Sequence, residues 1–250
     1  MEAVFSRINE LSKLHDQRLF FQLLDGPGSP AEVRALVPAL TFFVFAFQDI
    51  LRLNERQMTD PELLAVARQH RAEDAGHQSW FLQDARTLDV ELNIERLFGA
   101  DHRVTRDTSY RLVSEVFRAS DDRVRIVIPI VLEATGHCFF RRVYRFIESA
   151  GLGTSLKYFG ERHWQVEEGH EMLQEGQSDV LRKLALSPAL RAECIQSIER
   201  MFIAMATMVD DFHARMRAAK TEPAALETVA PEAAAVEAAV TAQPRARASR

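Results

Sequence analysis

Two stretches of the chain repeat one polar pattern. HRAEDAGH (70–77) and HWQVEEGH (163–170) each read histidine, three residues, a carboxylate, one residue, glycine, histidine. On an α-helix, positions 0, +4 and +7 fall within about 60° of one another. His70, Asp74 and His77 would then form one stripe, and His163, Glu167 and His170 a second, each with its carboxylate between two histidines. Imidazole suits iron, zinc and copper, and a carboxylate can bridge two metals while each histidine holds one. If the two helices face each other, all six side chains meet at one site. Gly76 and Gly169 fit that picture: a helical glycine costs about 1 kcal/mol against alanine, which a close neighbour or a cavity would explain.

A third contribution comes from VLEATGHCFF (131–140), where Glu133 stands in an otherwise apolar setting. A buried, unpaired carboxylate is expensive, so Glu133 wants a cation. His137 and Phe140 follow it at one and two turns on the same face. Arg141, Arg142 and Arg145 lie further along, on another part of the helix surface. Simpler readings weigh against each motif taken singly. Acid–histidine pairs three residues apart are common helix salt links, and the repeat together with Glu133 is what favours a metal. Glu73, at +3 in the first stripe, stays among the ligand choices, whereas Glu168, at +5, is turned further from its stripe and is either solvated or a neighbour of the site. His15, His102 and His213 have no matching partners and receive no role. Cys138 points about 100° away from His137, which argues against a cysteine–histidine nucleophile. The aromatic run Phe42, Phe43, Phe45 and Phe47 reads as core, with part of it available to line a pocket.

The elements that must carry these residues are helical throughout. Ser29-Pro30, Thr59-Asp60-Pro61-Glu62 and Ser187-Pro188 each offer a cap and a first-turn proline. They open helices expected to run to about Asn54, to about Leu88, and through Val209. Further helices are expected over about 106–119, 121–149 and 154–184, the second kinked at Pro129, which cannot donate to the carbonyl of Arg125. These make one helical domain, residues 1–219, followed by an Ala/Pro/Glu-rich tail (220–250) with too little bulky apolar content to order itself. A net charge of −5 over 250 residues gives no basic footprint for nucleic acid. Two distant cysteines suggest no disulfide framework and fit a reducing cytoplasm. The N-terminal segment lacks the apolar core of a signal peptide. The most apolar run, ALVPALTFFVFAF (35–47), is shorter than a bilayer span and contains Pro38, so it reads as a buried helix and no membrane contact is expected.

With these motifs the chain resembles the haem-oxygenase-like diiron oxidases and oxygenases over about residues 30–185. In that superfamily a glutamate and a histidine sit on one core helix, a glutamate on the next, and H-x3-D-x2-H on a later one. The resemblance implies an all-α, haem-oxygenase-like bundle of about six to seven helices and a diiron oxidoreductase. It implies two iron ions, with manganese or a mixed pair compatible with the same ligands, and O2 as cosubstrate. Its partners would be a small metabolite or acyl-chain substrate, a reductant, and a second copy of the chain in a homodimer. The ligands carried over are Asp74, His77, Glu133, His163, Glu167 and His170, with His70 either a further ligand or a neighbour of the site. Phe140 and Tyr144, at +7 and +11 from Glu133, would extend its face into the substrate cavity. Two departures stand out: position 167 is Glu where Asp is usual, and position 70 is His. The alternatives are a ferritin-like carboxylate bundle, which needs a further carboxylate such as Asp49, and a helical protein whose metal site is purely structural. A metal-free thiaminase-like hydrolase leaves the repeated histidines unexplained.

Overall fold

The computed structural model of the chain describes residues 1–153, 155–168 and 180–221, with Glu167 and Glu168 described in backbone only. The expected ligand His170 and residues 222–250 of the expected tail lie outside the described residues, while its first two residues, Lys220 and Thr221, are helical. The elements are α1 (Glu2–Asp16), α2 (Leu19–Leu24), α3 (Pro30–Gln57), α4 (Pro61–Glu73), α5 (His77–Thr87) and α6 (Ile94–Phe98). A 3-10 turn (Ala100–His102) leads into α7 (Arg103–Arg118), α8 (Asp122–Arg125), α9 (Val127–Ser149), α10 (Glu161–Glu168) and α11 (Pro188–Thr221). The fold is all-α, with no strand among the described residues, and Met1–Lys220 form one compact unit.

Helix starts follow the local chemistry. The Ser29 hydroxyl accepts from the Glu32 amide, and Pro30 occupies the first turn of α3. Asp60 accepts from the amides of Glu62 and Leu63, with Pro61 next to it, at the head of α4. Each arrangement satisfies backbone donors that a helix leaves free at its N-terminus. The Asp122 carboxylate then accepts from the Thr59 and Asp60 amides at 2.6 and 2.7 Å, tying the start of α4 to the region ahead of α9.

Three expectations need correction, and the first two, each splitting one expected helix, contribute to a number of helical segments above the six to seven expected. The stretch from 59 to 88 is not one helix. α4 ends at Glu73, and Gly76 adopts φ +96°, a left-handed conformation that side chains resist, before α5 restarts at His77. A Cβ at Gly76 would meet nothing within 4 Å among the described residues, so backbone conformation explains this glycine and crowding does not. The kink expected at Pro129 is a break at Ile126, between α8 and α9. Pro129 thereby falls in the first turn of α9, where its missing N–H is not needed. Finally, α10 begins at Glu161. The non-helical turn before it buries Leu156, Tyr158 and Phe159.

Helix α3 runs through the core against α4, α5 and α7, and α9 packs on α1, α2 and α10. By length and apolar content α3 would suffice to cross a membrane. In this fold Val33, Leu36, Val37, Leu40, Val44, Ile50 and Leu51 of α3 are buried in the protein core. Buried polar bonds fix its neighbours. Thr105 of α7 donates to the Ala39 carbonyl at 2.8 Å, and Glu115 accepts from Ser197 and Arg200 of α11 at 3.0 and 2.7 Å.

Candidate metal centre

The break after α4 decides the geometry of the site. His70 is on the last turn of α4, Asp74 caps it, and His77 is the first residue of α5. Glu133 comes from the buried N-terminal half of α9 and His163 from α10. His70, Asp74, His77, Glu133 and His163 are all buried.

His70 is the hub. Its Nε2–H donates to Glu133 Oε1 in a short hydrogen bond, and the same nitrogen lies 3.0 Å from Asp74 Oδ2. One proton cannot serve both carboxylates. It is directed to Glu133, and Asp74 Oδ2 is left buried without a hydrogen bond among the described residues. Burial alone would lower the His70 pKa, but the adjacent carboxylates of Asp74 and Glu133 outweigh it and raise the value to about 10. Burial likewise opposes ionisation of Asp74, yet His70 and His77 hold its carboxyl well below the usual range. One ligand atom from each of His70, Asp74 and Glu133 can be chosen so that all three lie within 4.8 Å of one another. A cation among them would replace the His70 proton and give Asp74 Oδ2 a partner, so the donor set fits a hard or borderline divalent metal.

A second group shares Asp74. Its Oδ1 lies 3.4 Å from His77 Nδ1, which is 3.2 Å from His163 Nε2. His163 Nδ1–H donates to the Tyr158 carbonyl at 2.7 Å. That bond places the proton of the neutral ring on Nδ1 and leaves Nε2 as a lone-pair donor facing His77. Asp74 therefore spans two donor groups, His70/Glu133 on one side and His77/His163 on the other.

The support for His163 comes from a residue to which the sequence reading gave no role. Asp84 of α5 is fully buried, and its carboxylate accepts from the amides of Lys157 and Phe159 at 2.7 and 3.0 Å. Those bonds hold the turn that presents the Tyr158 carbonyl. Burial raises the Asp84 pKa, and the two amides counter it. Its position among the buried Phe81, Ala85 and Leu88 marks it as buried but names no partner. Gln48 of α3 was also missed; its amide donates to the Asp74 carbonyl at 3.0 Å. Packing completes the frame, with the His77 ring stacked 4.9 Å from Trp80 and the Phe140 ring 4.1 Å from His163.

Asp74, His77, Glu133 and His163 open on a cavity with about 80 Å³ of water-accessible space, whose walls are mostly apolar. Phe140 lines it, together with Phe43, Phe47, Gly136, Phe139 and, at another wall, His15. Tyr144 is not among its lining residues: it stacks on Trp164 at 6.2 Å and accepts from Arg145 Nε at 2.8 Å. His137 also lies beside Trp164. Arg141 and Arg142 pair with Asp16, and Arg142 also with Asp25; among the described residues the cationic partner of Glu133 is His70. Glu73 accepts from Gln69 at 3.0 Å on α4. Asp49, the carboxylate that a ferritin-like centre would need from α3, is 62% exposed and paired with Arg52.

These features define a class no finer than an all-α protein with a buried histidine–carboxylate cluster beside an apolar cavity. No protein-family model matches the chain, and no match was found among curated proteins.

Proposed function

We propose that this protein is a non-haem diiron oxidase or oxygenase that uses O2 to oxidise a small metabolite or acyl-chain substrate. The observation that carries the reading is Asp74, a buried carboxylate shared by two donor groups, whose Oδ2 lies 3.0 Å from His70 Nε2 and accepts no hydrogen bond among the described residues. His70 and Glu133 would hold one metal and His77 and His163 the other, with Asp74 between them. Glu167 and His170 enter only through the repeated motif. Two iron ions, when bound, supply the electrons that reduce O2 and the oxidising power applied to the substrate. The chain does the rest. The Tyr158 carbonyl keeps the His163 proton on Nδ1, Gln48 and Asp84 hold the ligand-bearing backbone in place, and the Phe-lined cavity excludes bulk water from the reacting region. Manganese, or one iron with one manganese, suits the same donors.

The test is anaerobic loading of the full chain with Fe(II), metal counting, and stopped-flow absorbance after mixing with O2. The proposal expects a transient absorbance change and O2 consumption that depend on bound iron. Stable iron with no oxygen reaction, with or without candidate substrates, would favour the purely structural metal site instead.

A further inference from the structure

Two features of the cavity are unused by the metal centre. The first is His15, near the C-terminus of α1. It is 4% exposed, and neither ring nitrogen has a hydrogen-bond partner among the described residues. Its ring packs against Phe21 and Phe202 at 5.1 and 5.9 Å, and burial lowers its pKa to about 4, so it is neutral. His15 belongs to two walls: it lines the cavity, and it lines a surface groove with Arg7, Leu14 and Arg18. It is thus the partition between the two spaces. A polar group kept unpaired in such a place has its hydrogen-bonding capacity to offer to something else.

The second is Gly136, three residues after Glu133 inside α9. Glycine destabilises a helix interior relative to alanine. A Cβ here would meet nothing within 4 Å among the described residues, and the backbone is not left-handed. Among the described residues, neither conformation nor crowding therefore calls for glycine. What its missing side chain leaves is open space in the cavity, one turn from Glu133.

We propose that the cavity, with about 80 Å³ of space, binds a short aliphatic chain carrying an uncharged hydrogen-bonding terminus, with that terminus at His15 and the other end over Gly136, which sets the bulk accepted beside Glu133. Apolar side chains, including Phe43, Phe139 and Met208, line the cavity and suit a hydrocarbon middle. A neutral imidazole in an apolar wall pairs with a hydroxyl, amide or carbonyl at lower desolvation cost than with an anion. The reacting end rests on the diiron reading above; the binding itself does not.

The experiment uses metal-free full-length protein and 1-butanol, followed by titration calorimetry, so that binding is read without any metal. The parent should bind 1-butanol more tightly than butyrate. His15→Phe should weaken 1-butanol about tenfold, the loss of one hydrogen bond. Gly136→Ala should raise the melting temperature while weakening 1-butanol several-fold, and Gly136→Leu should abolish binding. Where Gly136→Leu does not fold, Gly136→Ala decides alone. A parent that does not bind 1-butanol, or Gly136→Ala with unchanged binding, overturns the proposal. Binding of 1-butanol by a protein that never loads iron would uphold the cavity assignment and remove the oxidase reading.

Discussion

His70 and His15 are both almost fully buried, and their surroundings drive them in opposite directions. His70 lies between two carboxylates that raise its pKa to about 10, so it holds a proton that a metal would displace. His15 lies among phenylalanines with no hydrogen-bonding partner among the described residues, and burial lowers its pKa to about 4. The penalty for burying an imidazolium is common to both. What differs is whether a carboxylate is within reach to offset it. The lesson is that burial alone says little about the task of a polar residue: the first histidine belongs to a charged cluster, the second to an apolar wall.

The contrast can be broken most severely at Asp74. Asp74→Ala removes the carboxylate shared by His70 and His77. In the metal-free chain it should lower unfolding free energy by about 3–5 kcal/mol, the usual cost of deleting one partner from a buried charged group. Urea denaturation at neutral pH checks this; a loss under about 1 kcal/mol would mean that the cluster is not a charged network.

A somewhat smaller effect is expected at His15, and it depends on pH. Its folded pKa lies below the ordinary value of 6.5, so between pH 6.5 and about 4 the unfolded chain binds more protons. Stability from this group is therefore complete above pH 6.5 and is lost as pH falls through that window. The shift corresponds to about 3 kcal/mol. His15→Phe should remove that part of the acid sensitivity, seen as a flatter stability curve from pH 6.5 to 4. Parallel curves for parent and variant would show that His15 is not held neutral.

Asp84→Asn sharpens the comparison from the supporting side. It places an NH2 group where one of two backbone amides now donates, and should cost about 1–3 kcal/mol. The Nδ1 and Nε2 resonances of His163 should move with it, because the Tyr158 carbonyl loses its fixed position. Unchanged His163 resonances would detach Asp84 from the site.

Much of the frame was legible in the sequence because its signals are local. Proline with a capping residue marked the starts of α3, α4 and α11, where the Ser187 hydroxyl accepts from the Leu190 amide. Glu133 in an apolar run pointed to a buried cation, and the structure provides His70. The breaks were harder to read. Helical spacing is preserved on average across residues 70–77, so a left-handed Gly76 and a glycine merely tolerated inside a helix look alike in sequence. The same holds at Pro129, where a kink and a helix start answer to one missing donor. His15 and Asp84 were illegible as site residues for a different reason. The neighbours of His15 come from α2 and α11, and the partners of Asp84 are backbone amides 73 and 75 positions away. No nearby motif encodes either. The placement of Phe140 and Tyr144 shows the limit of a face drawn on an ideal helix: one ring reaches the cavity, and the other stacks on Trp164.

The most direct test of the account is the stoichiometry of Fe(II) bound anaerobically by the full chain and by Glu133→Gln. Gln keeps the shape of the side chain and removes its charge, so the variant should fold like the parent by circular dichroism. The account predicts two tightly held irons per parent chain, a weaker iron complement in Glu133→Gln, and a slowed or absent reaction of that variant with O2. Equal iron content and an equal oxygen reaction in the two proteins would contradict it, because Glu133 would then not belong to a metal centre at all.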